Sequence, residues 1–309
     1  MKTILSRRRF ISIAASAIAS PAFAGATRAK WRGTALGAGA SMRLEGIGPA
    51  AALPLFAAVE AEIRRLEAVF SLFQEGSSLC DLNRTGVLIA PPPELLAVLS
   101  LSDHLHEVTS GAFDPTIQPL WSLHASRAVA GERVSPDELT YGLAAKGWQH
   151  VEFDAREVRY RRPGMAMTLN GVAQGYITDR IARMLRGWGL RDVLIDMGEI
   201  AALGRRADGA AWRAAVALPA GALVHHVMLS DRALATSAPL GTVLDRSGKV
   251  GHILDPRTGL PVKSRKLVSI SAETAALADG LSTGCVPLTS NETKRAVSRC
   301  PGAKLEKLI

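Results

Sequence analysis

The sequence predicts an α+β fold of layered lobes, because helical and strand patterns follow one another without the strict strand–helix–strand alternation of a parallel α/β domain. Alanine, leucine, valine and glycine dominate the composition, and aromatic residues make up 5% of the 309 residues. This composition fits mixed packing of helices and sheet. The chain beyond residue 24 is long enough to bury a substantial core. We therefore expect a single domain over residues 25–309.

Four helices are indicated by apolar spacing and by their end signals. Over residues 49–73, apolar side chains recur at three- and four-residue steps, as in an amphipathic helix. A second helix is predicted over residues 92–110, because two prolines begin it and Gly111 ends it. Residues 176–186 precede two glycines and form the third predicted helix, and residues 274–288 form the fourth.

Short strands are predicted between these helices. Residues 150–154 and 157–162 have strand composition with a turn between them. Residues 190–204 are rich in apolar residues and predict one buried strand whose end opens at Gly198. Further strands are predicted at residues 211–218, 224–230 and 267–272.

The first 24 residues have the features of an export signal. Consecutive arginines precede an apolar run of about 14 residues, which is short for a membrane span. The run ends in Ala22-Phe23-Ala24, the small-x-small pattern of a signal-peptidase site. We predict a twin-arginine signal over residues 1–24 and a periplasmic protein, and we expect no integral membrane protein. An ordinary secretion signal and a retained anchor are the alternatives.

The charge of the chain indicates a mildly basic protein. Removal of residues 1–24 removes four basic residues and no acid, so the formal net charge falls from +9 to +5. This balance suits an anionic small molecule or an acidic partner surface. The basic residues are scattered without interleaved aromatics, so we expect no nucleic-acid binding.

A loop with Gly171 and Gly175 leads into the third predicted helix. The N-terminus of a helix has unpaired backbone N–H groups and the positive end of the helix dipole, so it is suited to phosphate. The loop matches neither of the common nucleotide-binding glycine patterns. A purely structural loop is therefore the alternative to a phosphate site.

Asp279 and Thr283 are four residues apart in the fourth predicted helix. This spacing places a carboxylate and a hydroxyl on one helix face. Mg²⁺ takes oxygen ligands of this kind, commonly with phosphate oxygens and water. The alternative is a solvated helix face or a local cap.

The pair Asp-Pro occurs twice, at Asp114 and at Asp255. A turn explains the aspartate, the proline and a following glycine. It does not explain His252, Arg257 and Thr258, which stand beside the second pair.

Taken in order, six blocks resemble the ApbE-like FAD:protein FMN transferase family. The resemblance extends over residues 33–287, and several blocks in register are more specific than any one of them. The blocks are GTALG, SLFQEGSSLCDLNR, SGAFDPTIQPLW, GVAQGYITDR, HILDPRTGLPV and ALADGLSTG.

The resemblance implies an ApbE-like two-lobed fold with an FAD cleft between the lobes. It implies an enzyme that takes FAD as substrate and uses Mg²⁺ on the diphosphate. The enzyme would move FMN to a Thr or Ser hydroxyl of a partner protein and release AMP. Such a transfer depends on charge neutralisation and positioning, because the partner supplies the nucleophile.

The resemblance also implies roles for individual residues. Asp279 and Thr283 would bind the metal together with the backbone carbonyl of Ala173, and Asp279 and His252 would be catalytic. The residues implied in FAD binding are Phe73, Asp114, Ala173, Gln174, Gly175, Asp179, Ser237, His252, Arg257 and Thr258.

Two of these side chains have alternative roles. His252 is a candidate general base, because imidazole titrates near neutral pH. The alternative is a hydrogen-bonded histidine that fixes its own loop. Arg257 would either pair with an anionic group or brace Asp255.

Four positions depart from the family pattern, among them Ser78, where the family frequently has glutamate, and Thr168, where it frequently has aspartate. The family often has lysine where this chain has Gln174, and it has two glycines where Gly198 alone precedes Glu199. With the twin-arginine leader, these features resemble the branch associated with nitrous-oxide-reductase maturation. The implied partner is an acceptor flavoprotein of that system in the membrane.

Two other functions compete with protein flavinylation. The first is an FAD-binding carrier with little transferase activity, and the second is an FAD pyrophosphatase. A redox flavoenzyme is disfavoured, because the sequence contains no nicotinamide-binding fingerprint and no redox cysteine pair.

Overall fold

A computed structural model describes residues 27–218, 221–263 and 267–309. The predicted export signal at residues 1–24 lies outside the described residues. Within the described ranges, helices and strands mix along the chain, and the predicted α+β class is confirmed.

The four predicted helices lie close to their predicted positions, and four further α-helices lie within the described ranges. The first ends at Phe70 rather than at residue 73, because Ser71 has extended backbone. None of the helices in the described ranges has both the length and the apolar character needed to cross a bilayer. These helices are α1 (Pro49–Phe70), α2 (Ser78–Thr85), α3 (Pro93–Val108), α4 (Gln118–Ala130), α5 (Pro136–Ala144), α6 (Ala173–Gly187), α7 (Ala275–Cys285) and α8 (Ser290–Ser298).

The strands include the predicted segments and several that the sequence pattern does not indicate. The strands that were not predicted are the first three, the tenth to the twelfth, and the fourteenth. In order, the strands are β1 (Arg28–Ala35), β2 (Ala38–Glu45), β3 (Val87–Ile89), β4 (Val151–Phe153), β5 (Glu157–Tyr160), β6 (Val193–Asp196), β7 (Ile200–Leu203), β8 (Trp212–Ala217), β9 (Leu223–Leu229), β10 (Arg232–Ser237), β11 (Leu254–Asp255), β12 (Leu260–Pro261), β13 (Val268–Ala272) and β14 (Lys304–Leu308).

Seven strands form the main sheet, in the order β1-β2-β6-β7-β10-β13-β14. Every neighbouring pair in it is antiparallel. Smaller sheets are formed by β3-β5-β4, by β8-β9 and by β11-β12.

The prediction of one strand over residues 190–204 is wrong. The segment forms two antiparallel strands, β6 and β7, which pair Asp196 with Ile200. The chain reverses at Gly198, whose φ of +96° is a conformation that glycine adopts without strain. Both strands consist mostly of apolar residues, so the turn between them is hard to recognise in the sequence.

The main sheet has a different partner on each face. Ala201 and Leu203 of β7 belong to the core that contains α1, α3, α6 and α7. Ile200 and Ala202 alternate with them and pack against the β8-β9 hairpin, around Trp212. The helical layer thus covers the side of the sheet to which odd-numbered residues of β7 point.

Candidate active site

The start of α7 is fixed against α6 by a carboxylate. Asp179 accepts hydrogen bonds from the backbone N–H groups of Ala275 at 2.7 Å and Ala276 at 2.9 Å. Burial raises the pKa of Asp179 to about 6, although both N–H groups act in the opposite direction. The carboxylate complements the positive end of α7 and ties the two helices together. The role of Asp179 in FAD binding stays a prediction.

Gly175 allows the two helices to approach this closely. A Cβ atom at this position would lie 2.5 Å from the carbonyl oxygen of Ala275 and 2.6 Å from the Cα of Ala276. Both are backbone atoms, so no side chain could move aside to make room. Gly175 is therefore required by packing, whatever its part in binding phosphate.

Replacing Gly175 with alanine is expected to destabilise the protein by about 1–3 kcal/mol, the usual cost of overpacking a core. For a chain of this size, the melting temperature should fall by roughly 2–4 °C per kcal/mol, which calorimetry measures. Gly187→Ala, on the same helix, is the matched control, because a Cβ there would meet nothing within 4 Å. Its melting temperature should stay unchanged or rise. Equal melting temperatures for the two variants would contradict the close packing of α6 on α7.

Asp279 is a buried carboxylate with a backbone donor beside it. It is 4% exposed, and its Oδ2 accepts a hydrogen bond from the N–H of Gly175 at 3.2 Å. Burial raises the pKa of Asp279 to about 7, with a further contribution from Asp179 and an opposing one from the Gly175 N–H. A buried carboxylate in this position would be stabilised in its charged form by a cation.

Hydroxyl groups lie one helical turn further along α7. The Oγ of Ser237, at the end of β10, lies 3.2 Å from the Oγ1 of Thr283 and 2.8 Å from the Oγ of Ser282. Gly171 packs on Thr283, since a Cβ there would lie 3.0 Å from its Cγ2. Ala173 lies in the sequence between Gly171 and Gly175, which contact this helix face at its two ends. The structure therefore places Asp279 and Thr283 beside the loop and helix start that contain Ala173.

The oxygen atoms at this place fit a hard divalent cation. Mg²⁺ commonly binds one or two carboxylates and completes its shell with water and phosphate oxygens. Among the described residues, no group of three or more His, Cys, Asp and Glu side chains could hold a metal. A cation here would thus depend on few carboxylates, together with hydroxyl, carbonyl and substrate oxygens. The assignment of Ala173, Asp279 and Thr283 as ligands stays a prediction.

Glu199 is a buried acid that is not among the predicted site residues. It is 8% exposed, and its Oε2 is buried with no hydrogen-bond partner. Burial raises the pKa of Glu199 well above its usual value, and the nearby carboxylates of Asp279 and Asp196 raise it as well. A backbone hydrogen bond from Thr236 has the opposite effect on this pKa. The available signal in the sequence is an acidic residue between two apolar strands.

Gln174 supports the turn that leads to Glu199. Its Nε2 donates to the carbonyl oxygen of Met197 at 3.2 Å. The same amide lies against Gly198, where a Cβ would be 2.7 Å from Nε2. The residue that replaces the lysine of the family pattern is therefore a neutral brace between α6 and the β6-β7 turn. Its role in binding FAD stays a prediction.

His252 is held through one ring nitrogen. Its Nδ1 lies 3.2 Å from the carbonyl oxygen of Pro239 and 3.0 Å from that of Thr242. Carbonyl oxygens only accept hydrogen bonds, so Nδ1 carries the proton and Nε2 carries the lone pair of the neutral ring. Trp121 fixes the backbone by donating to the His252 carbonyl oxygen at 3.1 Å. The structure thus contains the loop-fixing contacts, and the role as a base stays a prediction.

The contacts of Arg257 match one of its two alternative roles, which is to brace Asp255. Its guanidinium donates to the two carboxylate oxygens at 2.9 and 2.8 Å, and to the Pro287 carbonyl oxygen at 3.1 Å. The hydroxyl of Thr258 lies 3.5 Å from the Asp255 carbonyl oxygen in the same turn. Both side chains stabilise the loop after His252, and their contacts with FAD stay predictions.

Asp114 begins a short 3-10 turn, Pro115–Ile117. Its Oδ1 accepts hydrogen bonds from the N–H of Thr116 at 2.9 Å and from its hydroxyl at 2.6 Å, and its Oδ2 lies 3.6 Å from Lys146 Nζ. Phe73 lies after α1 with 67% of its surface exposed. Their roles toward FAD stay predictions.

Helix α7 contacts the other segments in turn. Asp279 receives the hydrogen bond from α6, and Thr283 meets β10. Gly284 packs so closely on the loop before Asp114 that a Cβ would lie 2.9 Å from the Cβ of Phe113. Pro287, just after the helix, accepts the hydrogen bond from Arg257. Segments far apart in the sequence are thus assembled around one helix.

The sequence has relatives that match most of its length. The family model described as the ApbE family matches residues 36–305. The chain is 29% identical over 234 residues to the FAD:protein FMN transferase of Vibrio cholerae serotype O1, which covers 72% of this chain and 70% of that protein. It is 26% identical over 293 residues to the FAD:protein FMN transferase of Klebsiella pneumoniae, over 90% of this chain and 83% of that protein.

Solved structures match the fold described above. The flavin transferase ApbE from Vibrio cholerae aligns with a TM-score of 0.79 at 23% identity, over 89% of this chain and 92% of that chain. The apo form of the Pseudomonas stutzeri flavinyl transferase ApbE aligns with a TM-score of 0.78 at 26% identity, over 89% of each chain. The expected fold is confirmed, and the chain belongs to the ApbE family.

Proposed function

We propose that this protein is an FAD:protein FMN transferase, which attaches FMN to a hydroxyl group of a partner protein. The names of its relatives support this activity. The observation that carries the proposal is the position of Asp279 and Thr283 beside the glycine-bearing start of α6. Backbone N–H groups at a helix start suit phosphate, and the carboxylate–hydroxyl pair suits the cation that a diphosphate binds.

The transfer breaks the phosphoanhydride bond between the two halves of FAD and forms a phosphoester bond to the acceptor. The acceptor hydroxyl oxygen bonds to the phosphorus of the FMN half of FAD, and the bond from this phosphorus to the bridging oxygen breaks. AMP leaves with the bridging oxygen. The hydroxyl proton goes to the Nε2 of His252, which carries the lone pair because Nδ1 is bonded to carbonyl oxygens.

Asp279, Thr283 and the Ala173 carbonyl would hold Mg²⁺. Mg²⁺ at this position would neutralise charge on the diphosphate and on the leaving AMP. The hydrogen bond from Gly175 orients the Asp279 carboxylate, and Ser237 orients the Thr283 hydroxyl. Asp179 keeps the two helix starts at the spacing that this arrangement needs.

The proposed place of action is the periplasm. The consecutive arginines and the apolar run in residues 1–24 support export by the twin-arginine pathway. With this leader, Gln174 and the single Gly198 before Glu199 support a client in nitrous oxide respiration, namely a membrane-bound acceptor flavoprotein.

A mass measurement tests the activity. The purified protein is incubated with FAD, Mg²⁺ and the proposed acceptor, and the acceptor should gain the mass of FMN less one water. A parallel reaction with a chelator in place of Mg²⁺ should give no gain. Bound FAD without transfer would indicate the carrier instead. Free FMN and AMP with an unmodified acceptor would indicate the pyrophosphatase.

A further inference from the structure

An unsatisfied carboxylate oxygen lies beside the proposed cation ligands. It is the Oε2 of Glu199, on a side chain that is 8% exposed. An ionised oxygen buried without a partner is destabilising, so native proteins rarely retain one without a function. Glu199 takes no part in the transfer as described above.

Glu199 lies in the β6-β7 turn, immediately before β7. Ala201, two residues further along, packs in the core under the helical layer, whereas Ile200 packs on the opposite face of the sheet. The register of β7 on β10, continued by one residue, places Glu199 opposite Ala235. On β10, Ala235 packs with Ala278 of α7, and Ser237 shares that face with it. Glu199, in the β6-β7 turn, and Ser237, at the end of β10, thus both lie near α7.

A short path of contacts connects Glu199 to both predicted metal side chains. The backbone of Thr236 is hydrogen-bonded to the Glu199 carboxylate. The next residue, Ser237, contacts the Thr283 hydroxyl at 3.2 Å. One helical turn before Thr283, the carboxylate of Asp279 is a charged neighbour of Glu199.

The surroundings of Glu199 supply negative charge and neutral dipoles. The carboxylates of Asp279 and Asp196 are the acidic groups that interact electrostatically with Glu199. On the side of α6, the neutral amide of Gln174 lies against the turn that precedes it. Two buried carboxylates close together are stabilised in their charged form when a cation lies between them.

We propose that Glu199 belongs to the cation site, where its Oε2 binds the divalent ion or one of the ion's water ligands. This inference rests on the proposed function, because the ion is the one that FMN transfer would use. Glu199 then supplies a second carboxylate from the β6-β7 turn, opposite the oxygen atoms of α7.

Direct titration with Mn²⁺, followed by electron paramagnetic resonance, tests this role. The protein is titrated with and without FAD, and Glu199→Gln should weaken Mn²⁺ binding by roughly 10- to 100-fold, as loss of a metal-supporting group typically does. Without a cation, the variant should unfold at the same or a higher temperature, because a buried unpaired carboxylate is gone. The rise in melting temperature on adding Mn²⁺ should shrink.

Matched variants separate the possible results. Glu45→Gln is the control, because Glu45 is also buried on the main sheet but is bonded to Arg43, and it should bind Mn²⁺ normally. Glu199→Met keeps a similar volume without a polar atom, and it is the second variant in case Glu199→Gln does not fold. It should fold and lose Mn²⁺ affinity. Asp279→Asn removes the charge of a proposed ligand, so its Mn²⁺ affinity shows whether the ion binds at this site.

Three outcomes would overturn the inference in different ways. Normal Mn²⁺ binding by Glu199→Gln and Glu199→Met, with loss of binding in Asp279→Asn, would reject the role of Glu199 and leave the proposed function standing. Absence of Mn²⁺ binding by the unaltered protein with FAD would reject both. A lower melting temperature for both Glu199 variants, with unchanged affinity, would make Glu199 a structural residue.

Discussion

Replacing Asp279 with alanine is expected to reduce Mg²⁺-dependent FMN transfer by about a thousandfold, because a bound metal contributes several kcal/mol to stabilising transition-state charge. The substitution removes the carboxylate of the α7 pair. It also leaves the N–H of Gly175 without its acceptor at the start of α6. The rate of mass gain of the acceptor, measured at saturating FAD, gives the effect.

Asp279→Asn separates the charge from the hydrogen bond. The amide oxygen of asparagine can still accept from Gly175, so the start of α6 should stay in place. Transfer should nevertheless be as slow as in the alanine variant, since a neutral amide is a poor ligand for Mg²⁺. Full activity in Asp279→Asn would remove the metal from this position.

Replacing His252 with alanine is expected to slow transfer by about 10²–10⁴-fold, the usual contribution of a general base. Affinity for FAD should change little, because the proton acceptor acts on the hydroxyl of the partner protein. Transfer rate and FAD affinity are measured separately, the second by fluorescence titration of the flavin. A loss confined to FAD affinity would assign His252 to binding.

His252→Asn is the matched variant for the structural alternative. Its side-chain N–H₂ can replace the Nδ1–H that faces the carbonyl oxygens of Pro239 and Thr242, but it has no counterpart of the basic Nε2. We expect it to be as slow as His252→Ala. Recovery of normal transfer in His252→Asn would show that His252 only fixes its loop.

The long helices are predictable from the sequence because their signals are local. Apolar spacing and prolines place α1 and α3 to within a few residues. Strands β1 and β2 are harder, because alanines at Ala29, Ala35 and Ala40 supply much of their buried face and give a weak apolar alternation. The two-strand hairpin at residues 193–203 is missed for the opposite reason, since both of its strands are mostly apolar.

The candidate site is predictable only in its local parts. Asp279 and Thr283 share a helix face by spacing alone. The contacts that complete the site join residues far apart in the chain, such as Asp179 with Ala275 and Gln174 with Met197. The burial of Glu199 likewise depends on how β7 pairs with β10, which a local pattern does not reveal.

The central claim is that the Asp279–Thr283 face of α7 holds a divalent ion on the diphosphate of FAD. Crystals of the protein grown with FAD and Mn²⁺, measured for the anomalous scattering of manganese, test it most directly. The account predicts an anomalous peak bounded by Asp279, Thr283 and the Ala173 carbonyl, in contact with phosphate oxygens. A bound FAD whose diphosphate lies away from this face, or a manganese peak elsewhere, would contradict it.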